Sequence, residues 1–189
     1  YTGSNPVIHV DDDGLEKIVV VGNQGYSPKS DRTGPASKEG YRYGKYTRHF
    51  LQSGLNQARK YKSSGKEQVT MVIYKGNYSQ KELDKYQQAA AKSGITTIIV
   101  NSAKEIANYV NTQDSRVFGS DRADDLVTSF AYVGHGWKKG LYTGYNAIEN
   151  AVDHDPLHTK DLEVGAFALH ADILLNSCAS GYDVMDDFV

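Results

Sequence analysis

The sequence predicts an α/β fold in which parallel strands alternate with crossover helices. Short apolar segments rich in β-branched residues recur along the 189-residue chain, at 18–21, 68–74, 95–100, 127–133 and 173–175. Helix signals stand between them, and strands separated by helices pair in parallel because each crossover returns the chain to the same end of the sheet. A chain of this length is sufficient for one domain with a short appendage.

The helices are predicted from local signals. Apolar residues at helical spacing predict a helix over 42–62. The capping box S-Q-K-E, which begins at Ser79, predicts a helix over 80–92, and a second box that begins at Ser102 predicts a short helix to about residue 110. A further helix is predicted over 159–169.

Composition narrows the class of protein. A net charge of -2 and a pI near 6.3 give no general reason to expect a nucleic-acid partner. The single cysteine excludes an internal disulfide, and the longest apolar runs have the length of strands rather than of membrane spans. The chain opens without an initiator Met or a secretory signal, so we expect a piece of a longer protein.

Two segments, YVGHGW at 132–137 and LLNSCASG at 174–181, place a histidine and the only cysteine directly after predicted strands. In open parallel sheets, active residues gather beyond the carboxyl ends of the strands. We therefore expect His135 and Cys178 to leave the same edge of one sheet. This is the arrangement that a Cys/His catalytic dyad requires.

The chemistry of such a dyad assigns a role to each group. The thiolate is the most capable protein nucleophile near neutral pH, so Cys178 would attack a carbonyl carbon. His135 would move the proton that attack and leaving-group departure require, and the amides of Gly136 and Cys178 would stabilise the oxyanion. Taken singly, such a cysteine is more often buried in a core and such a histidine is more often structural. Their joint placement at successive strand ends favours catalysis.

These residues resemble those of the caspase-like cysteine peptidases (clan CD), which include caspases, legumains, gingipains, separases and self-processing domains of bacterial toxins. In that family one apolar strand ends in His-Gly and another ends in a Cys followed by small residues, and VGHG and LLNSCASG match both halves. The resemblance covers about 68–181. It implies a mostly parallel sheet flanked by helices on both faces and an endopeptidase that cleaves a protein substrate. Family members usually continue further, whereas 11 residues follow Cys178, so we expect the sheet to be incomplete at its C-terminus.

The first 15 residues resemble a second family. Pro6, Asp11, Gly14 and Leu15 match the motif P-x-x-x-x-D-P-x-G-L, which closes the core of Rhs-repeat proteins, and Asp12 replaces its second proline. The resemblance implies that 1–15 end an Rhs-type core, that self-cleavage follows Leu15, and that the remainder is a toxin. In this interpretation 16–66 form an N-terminal extension and 67–189 form the peptidase core. A surface turn with three acidic residues is the alternative.

The Rhs resemblance also implies a cellular setting. The chain would be a secreted or injected bacterial effector that acts in the cytoplasm of a target cell. Its partners would be a protein substrate, the Rhs shell of the parent chain and a cognate immunity protein.

Other functions remain open. The stretch 41–60 interleaves bases and aromatics, which could serve a nuclease-type toxin, although the same spacing fits an amphipathic helix. A non-catalytic, caspase-like binding module is a further alternative. His154 and His158 could ligate a metal, but a solvated loop is favoured there. We expect no cofactor, no metal, no nucleic-acid partner and no membrane segment.

Overall fold

The structure is a computed structural model that describes residues 15–23, 49–114, 122, 125–137, 140–144 and 155–177. Its main strands are β1 (Leu15–Val21), β2 (Gln68–Tyr74), β3 (Thr96–Val100), β4 (Leu126–Val133) and β8 (Phe167–Asn176). They form one five-stranded sheet in the order β3-β2-β1-β4-β8, and every neighbouring pair is parallel. The predicted α/β fold with a mostly parallel sheet is confirmed.

Three helices cover the two faces of this sheet: α1 (His49–Ser64), α2 (Gln80–Ala91) and α3 (Ala103–Thr112). Helices α1 and α2 pack on one face, where Leu51 and Leu83 join a cluster with Val19 and Val21 of β1. Helix α3 packs on the other face, together with Ile18 and Val20. Successive residues of a strand point to opposite faces, so β1 contributes to both cores.

Strand β1 is the middle strand of the sheet, and its residues from 16 to 21 are buried. A parallel sheet covered on both faces has strands that are continuous apolar runs, which is why IVVV rather than an alternating pattern occupies this position. The segment 16–66, assigned above to an N-terminal extension, therefore contributes β1 and α1 to the same sheet and helical layer as the residues that follow it.

A small antiparallel sheet follows β4 directly. It consists of β5 (His135–Trp137), β6 (Gly140–Tyr142) and β7 (Pro156–Leu157), in the order β5-β6-β7. Leu141 and Leu157 are buried in the core on the α3 side. This packing fixes the small sheet against the end of β4, so the direction of the chain after residue 133 is set by buried contacts.

The helix predicted over 159–169 is wrong. Two 3-10 turns, Thr159–Asp161 and Val164–Ala166, occupy this segment and lead into β8. A helix would have placed Leu162, Ala166 and Leu169 on one side, but the ladder between Phe167 and Val127 begins the strand early. Leu169 is consequently 87% exposed. The hydrogen-bonding edge of β4 outweighs the local helix propensity of the segment.

Strand β8 begins with a large bulge against β4. Phe167 pairs with Val127, and the next pair is Asp172 with Ser129, so residues 168–171 lie opposite a single residue of β4. Within the bulge, His170 adopts the left-handed conformation with φ 73°. Regular pairing then continues to the end of the strand, where Asn176 is opposite Val133.

Candidate active site

The two strands that precede the predicted dyad are neighbours in the sheet. From Phe130 opposite Ile173 to Val133 opposite Asn176, β4 and β8 run parallel and in regular register. Beyond the last pair, the Gly134 N–H donates to the Asn176 carbonyl at 3.4 Å. His135 and Ser177 therefore leave the same edge of the sheet, from adjacent strands.

Cys178 lies outside the described residues, which end at Ser177 in this part of the chain. The contact between the Cys178 thiol and the His135 imidazole accordingly stays a prediction. Its basis in the described residues is positional: His135 lies two residues beyond Val133, and Cys178 lies two residues beyond Asn176, its ladder partner.

This edge also contains the point at which the order of the strands reverses. The chain proceeds outward from β1 through β2 to β3 and then returns to the other side of β1 with β4. In open α/β sheets, ligands bind in the crevice beyond the carboxyl ends of the two strands at such a reversal. The two strands at the reversal are β1 and β4, which continue into Gly22 and Gly134. His135 therefore follows one of the two strand ends at which this rule places a ligand.

The His135 side chain is held by an aromatic neighbour. The Phe50 ring of α1 lies with its centroid 5.1 Å from that of the imidazole, at an interplanar angle of 77°. His135 is partly buried as a residue, and its Nε2 atom is fully buried. An edge-to-face arrangement of this kind is a favourable geometry for two aromatic rings.

The backbone of His135 is held by Tyr132. The Tyr132 hydroxyl donates to the His135 carbonyl oxygen at 2.8 Å, and the tyrosine is completely buried. Burial, with a smaller contribution from Tyr78, raises the pKa of Tyr132, so the hydroxyl keeps the proton that it donates. The sequence analysis named this tyrosine only as part of YVGHGW and did not assign it a role.

Two glycines make room for the Tyr132 hydroxyl. A Cβ atom on Gly134 would lie 2.4 Å from it, and a Cβ atom on Gly22 would lie 2.9 Å from it. Both distances are far below ordinary van der Waals contact. The first glycine of Gly-His-Gly is thus explained by packing around Tyr132.

Gly136, predicted as an oxyanion donor, is buried and lies opposite Leu141 in the ladder between β5 and β6. The second predicted donor, the Cys178 amide, lies outside the described residues. The oxyanion role of both amides remains a prediction.

A set of hydrogen bonds, the side-chain ones partly buried, connects the ends of the neighbouring elements at this edge. The Asn23 N–H donates to the Thr143 carbonyl at 2.6 Å, and the Asn23 Oδ1 accepts from the Asn77 N–H at 3.1 Å. The Thr143 hydroxyl donates to the Asp155 carbonyl at 2.6 Å, and the Asp155 carboxylate accepts from the Ala103 N–H at 2.8 Å. These bonds join β1, β6 and α3. They escaped the sequence analysis because their partners are far apart in the chain.

The described part of the basic-aromatic stretch 41–60 takes part in packing. In the part of the basic-aromatic stretch that is described, Leu51, Leu55 and Ala58 are buried in the core, and Arg59 donates to Ser93 at 3.1 Å. These contacts are those of an amphipathic, sheet-packed helix.

Residues 41–48 and His154 lie outside the described residues. Within the described ranges, no three His, Cys, Asp or Glu residues are grouped to hold a metal ion.

Comparisons with protein-family models, with curated proteins and with solved structures found no significant match. Among the helices that the structure describes, none combines the length and the apolar character needed to cross a membrane.

Proposed function

We propose that this chain is a caspase-like cysteine peptidase that acts as the toxin of an Rhs-type bacterial effector. The observation that supports it most is the pairing of β4 with β8, because this ladder ends at Val133 and Asn176, two residues before His135 and two before Cys178. The reversal of strand order beside the same edge adds to this support.

The proposed reaction is acyl transfer. The Cys178 thiolate attacks the carbonyl carbon of the scissile peptide, and the resulting oxyanion accepts hydrogen bonds from the amides of Gly136 and Cys178. His135 protonates the leaving amine, the C–N bond breaks, and an acyl-enzyme remains on sulfur. Water then attacks this thioester while His135 accepts its proton, the C–S bond breaks, and the acid is released with the thiolate and the imidazolium restored.

The biological part of the proposal rests on the two sequence resemblances. The Pro6-to-Leu15 segment supports release from an Rhs shell, delivery into a target cell and neutralisation by an immunity protein in the producing cell. The protein substrate would be a target-cell protein.

The test is expression of the 189-residue chain in a sensitive bacterium, as wild type, Cys178→Ala, His135→Ala and His170→Asn. We expect wild type to stop growth and both dyad variants to be harmless, since loss of the proton-transfer group lowers the rate by about 10²- to 10⁴-fold. His170→Asn is the matched control, because it removes an exposed imidazole from the bulge of β8 and asparagine tolerates the positive φ of that position.

Two results would contradict the proposal. Toxicity that survives both Cys178→Ala and His135→Ala would discard the dyad and favour the nuclease alternative. The wild-type chain could also be harmless and still bind a partner after alkylation of its only cysteine. This combination would favour the non-catalytic binding module.

A further inference from the structure

Phe50 is the second residue of α1, and its surroundings differ from those of the other apolar residues of this helix. Leu51 and Leu55 are buried in the core between α1 and the sheet, whereas Phe50 is only partly buried. Its ring lies against the His135 imidazole, with 5.1 Å between the centroids. Phe50 thus packs against the core cluster and in addition contacts His135.

The position of Phe50 follows from the topology. Helix α1 is the crossover between the parallel strands β1 and β2, so it runs back across the sheet and begins near the carboxyl ends of the strands. The first turn of α1 is therefore the part of the helix that lies nearest to the end of β4. A bulky residue in this turn reaches His135, and one in the last turn does not.

His135 is fixed at its backbone by Tyr132, but that bond does not set the orientation of the imidazole. The terminal torsion of a histidine side chain is broad, with two poorly separated preferences. A ring in edge-to-face contact at an interplanar angle of 77° restricts this torsion, because a rotated imidazole loses the contact. A general acid and base acts efficiently only when its nitrogen is held within reach of the reacting atoms.

We propose that Phe50 is a positioning residue that holds the His135 imidazole in the orientation that proton transfer requires. The proposal rests on the peptidase function proposed above. It assigns Phe50, a residue of the stretch 41–60, a role in addition to its packing against the core cluster.

The test compares Phe50→Leu, Phe50→Tyr and Tyr61→Leu in the full chain. Tyr61 is the matched control, since it is also a partly buried aromatic residue of α1 packed against the same cluster, but it lies at the other end of the helix. We expect Phe50→Leu to lower kcat of peptide cleavage by about ten- to a hundredfold with KM unchanged, which is the effect of a small misplacement of a catalytic group. Phe50→Tyr should restore most of the rate, and Tyr61→Leu should leave kcat near that of wild type.

The second readout is the ¹H–¹³C NMR signal of the His135 imidazole, assigned with His135→Asn. Removal of the Phe50 ring removes its ring current, so Phe50→Leu should shift this signal and Tyr61→Leu should not. An unshifted signal, or equal losses of kcat in Phe50→Leu and Tyr61→Leu, would overturn the positioning role. Wild-type protein without peptidase activity dependent on Cys178 would instead overturn the proposed function, whatever the NMR signal shows.

Discussion

Glu16 and Arg122 form an ion pair whose side chains are both completely buried. Glu16 also accepts hydrogen bonds from the Tyr109 hydroxyl at 2.7 Å and from the Gln68 amide at 3.3 Å, while Arg122 donates to the Asp125 carbonyl at 2.7 Å. The pair lies near the beginnings of β1 and β4, at the opposite edge of the sheet from His135. Its position and its hydrogen bonds to Tyr109, Gln68 and Asp125 indicate a structural role.

Removal of either partner of this pair should be strongly destabilising. Glu16→Gln or Arg122→Met leaves an uncompensated buried charge, so we expect each to lower the free energy of unfolding by about 3–5 kcal/mol in urea titrations. The double variant should lose less than the sum of the two, because neither charge then remains unpaired.

The matched control for that prediction is the pair of Lys17 and Glu67, which lies 3.1 Å apart and is partly exposed. Glu67→Gln should lower the free energy of unfolding by only about 0–1 kcal/mol, as is typical of ion pairs in contact with water. If the completely buried pair and this partly exposed pair gave equal losses, complete burial would not be what makes the Glu16 pair important.

The residues around His135 show what a single sequence reveals of a site and what it does not. His135 and Gly136 were identifiable because they follow an apolar run, and such a run is visible from neighbouring residues alone. The contacts of His135 with Phe50 and of Gly22 with Tyr132 join segments far apart in the chain. Such contacts cannot be inferred from the sequence until the order of the strands in the sheet is known.

At the level of elements, the helix starts are the features that the sequence predicts best. The Ser79 hydroxyl accepts from the Glu82 N–H at 3.3 Å, and the Glu82 carboxylate accepts from the Ser79 N–H at 3.1 Å, which completes the predicted box of α2. At α3 only half of the box forms, because the Glu105 carboxylate accepts from Asn101 rather than from Ser102. Both signals lie within four residues, so tertiary structure hardly alters them.

Loss of the cap of α2 should have a moderate effect. Ser79→Ala removes the acceptor for the Glu82 N–H, so we expect the free energy of unfolding to fall by about 1 kcal/mol. Ser63→Ala is the control: its hydroxyl is exposed in the last turn of α1, and its removal should change stability by no more than about 0.5 kcal/mol. Equal effects of the two substitutions in urea titrations would show that the cap contributes nothing.

The segment over 159–169 shows where prediction from local signals fails. The pattern of Leu162, Ala166 and Leu169 fits a helical face. The structure is decided instead by the edge of β4, which pairs with Phe167 and converts the remainder into strand. The periodicity of a segment does not reveal a strand, distant in sequence, that pairs with the segment in the fold.

At the scale of the whole molecule, chain order was sufficient to predict a parallel sheet but not the order of its strands. The alternation of strands and helices determines that neighbouring strands are parallel. It does not determine that β1 lies between β2 and β4, since IVVV is equally suited to any covered strand. The reversal of strand order beside His135 depends on this central position of β1, so chain order alone does not locate it.

Three buried tyrosines, Tyr78, Tyr109 and Tyr132, link the stability of the whole domain to pH. Burial raises the pKa of each above the ordinary tyrosine value of about 10, with the Glu16 carboxylate as a further cause at Tyr109. In the unfolded chain these groups lose their protons near pH 10, whereas in the folded protein they keep them. Their contribution to stability is therefore fully present below that pH and is lost as the pH rises through the folded values.

We therefore expect the free energy of unfolding to be constant with respect to these groups up to about pH 10 and to fall steeply above it. The measurement is urea unfolding at a series of pH values, for wild type and for Tyr132→Phe. The variant loses the hydrogen bond to the His135 carbonyl and starts from a lower stability. Its slope above pH 10 should nevertheless be shallower by about 1.4 kcal/mol per pH unit, because one titrating group fewer distinguishes the two states. Identical slopes in the two proteins would mean that the Tyr132 hydroxyl ionises equally in the folded and the unfolded chain, and would contradict the prediction that burial raises its pKa.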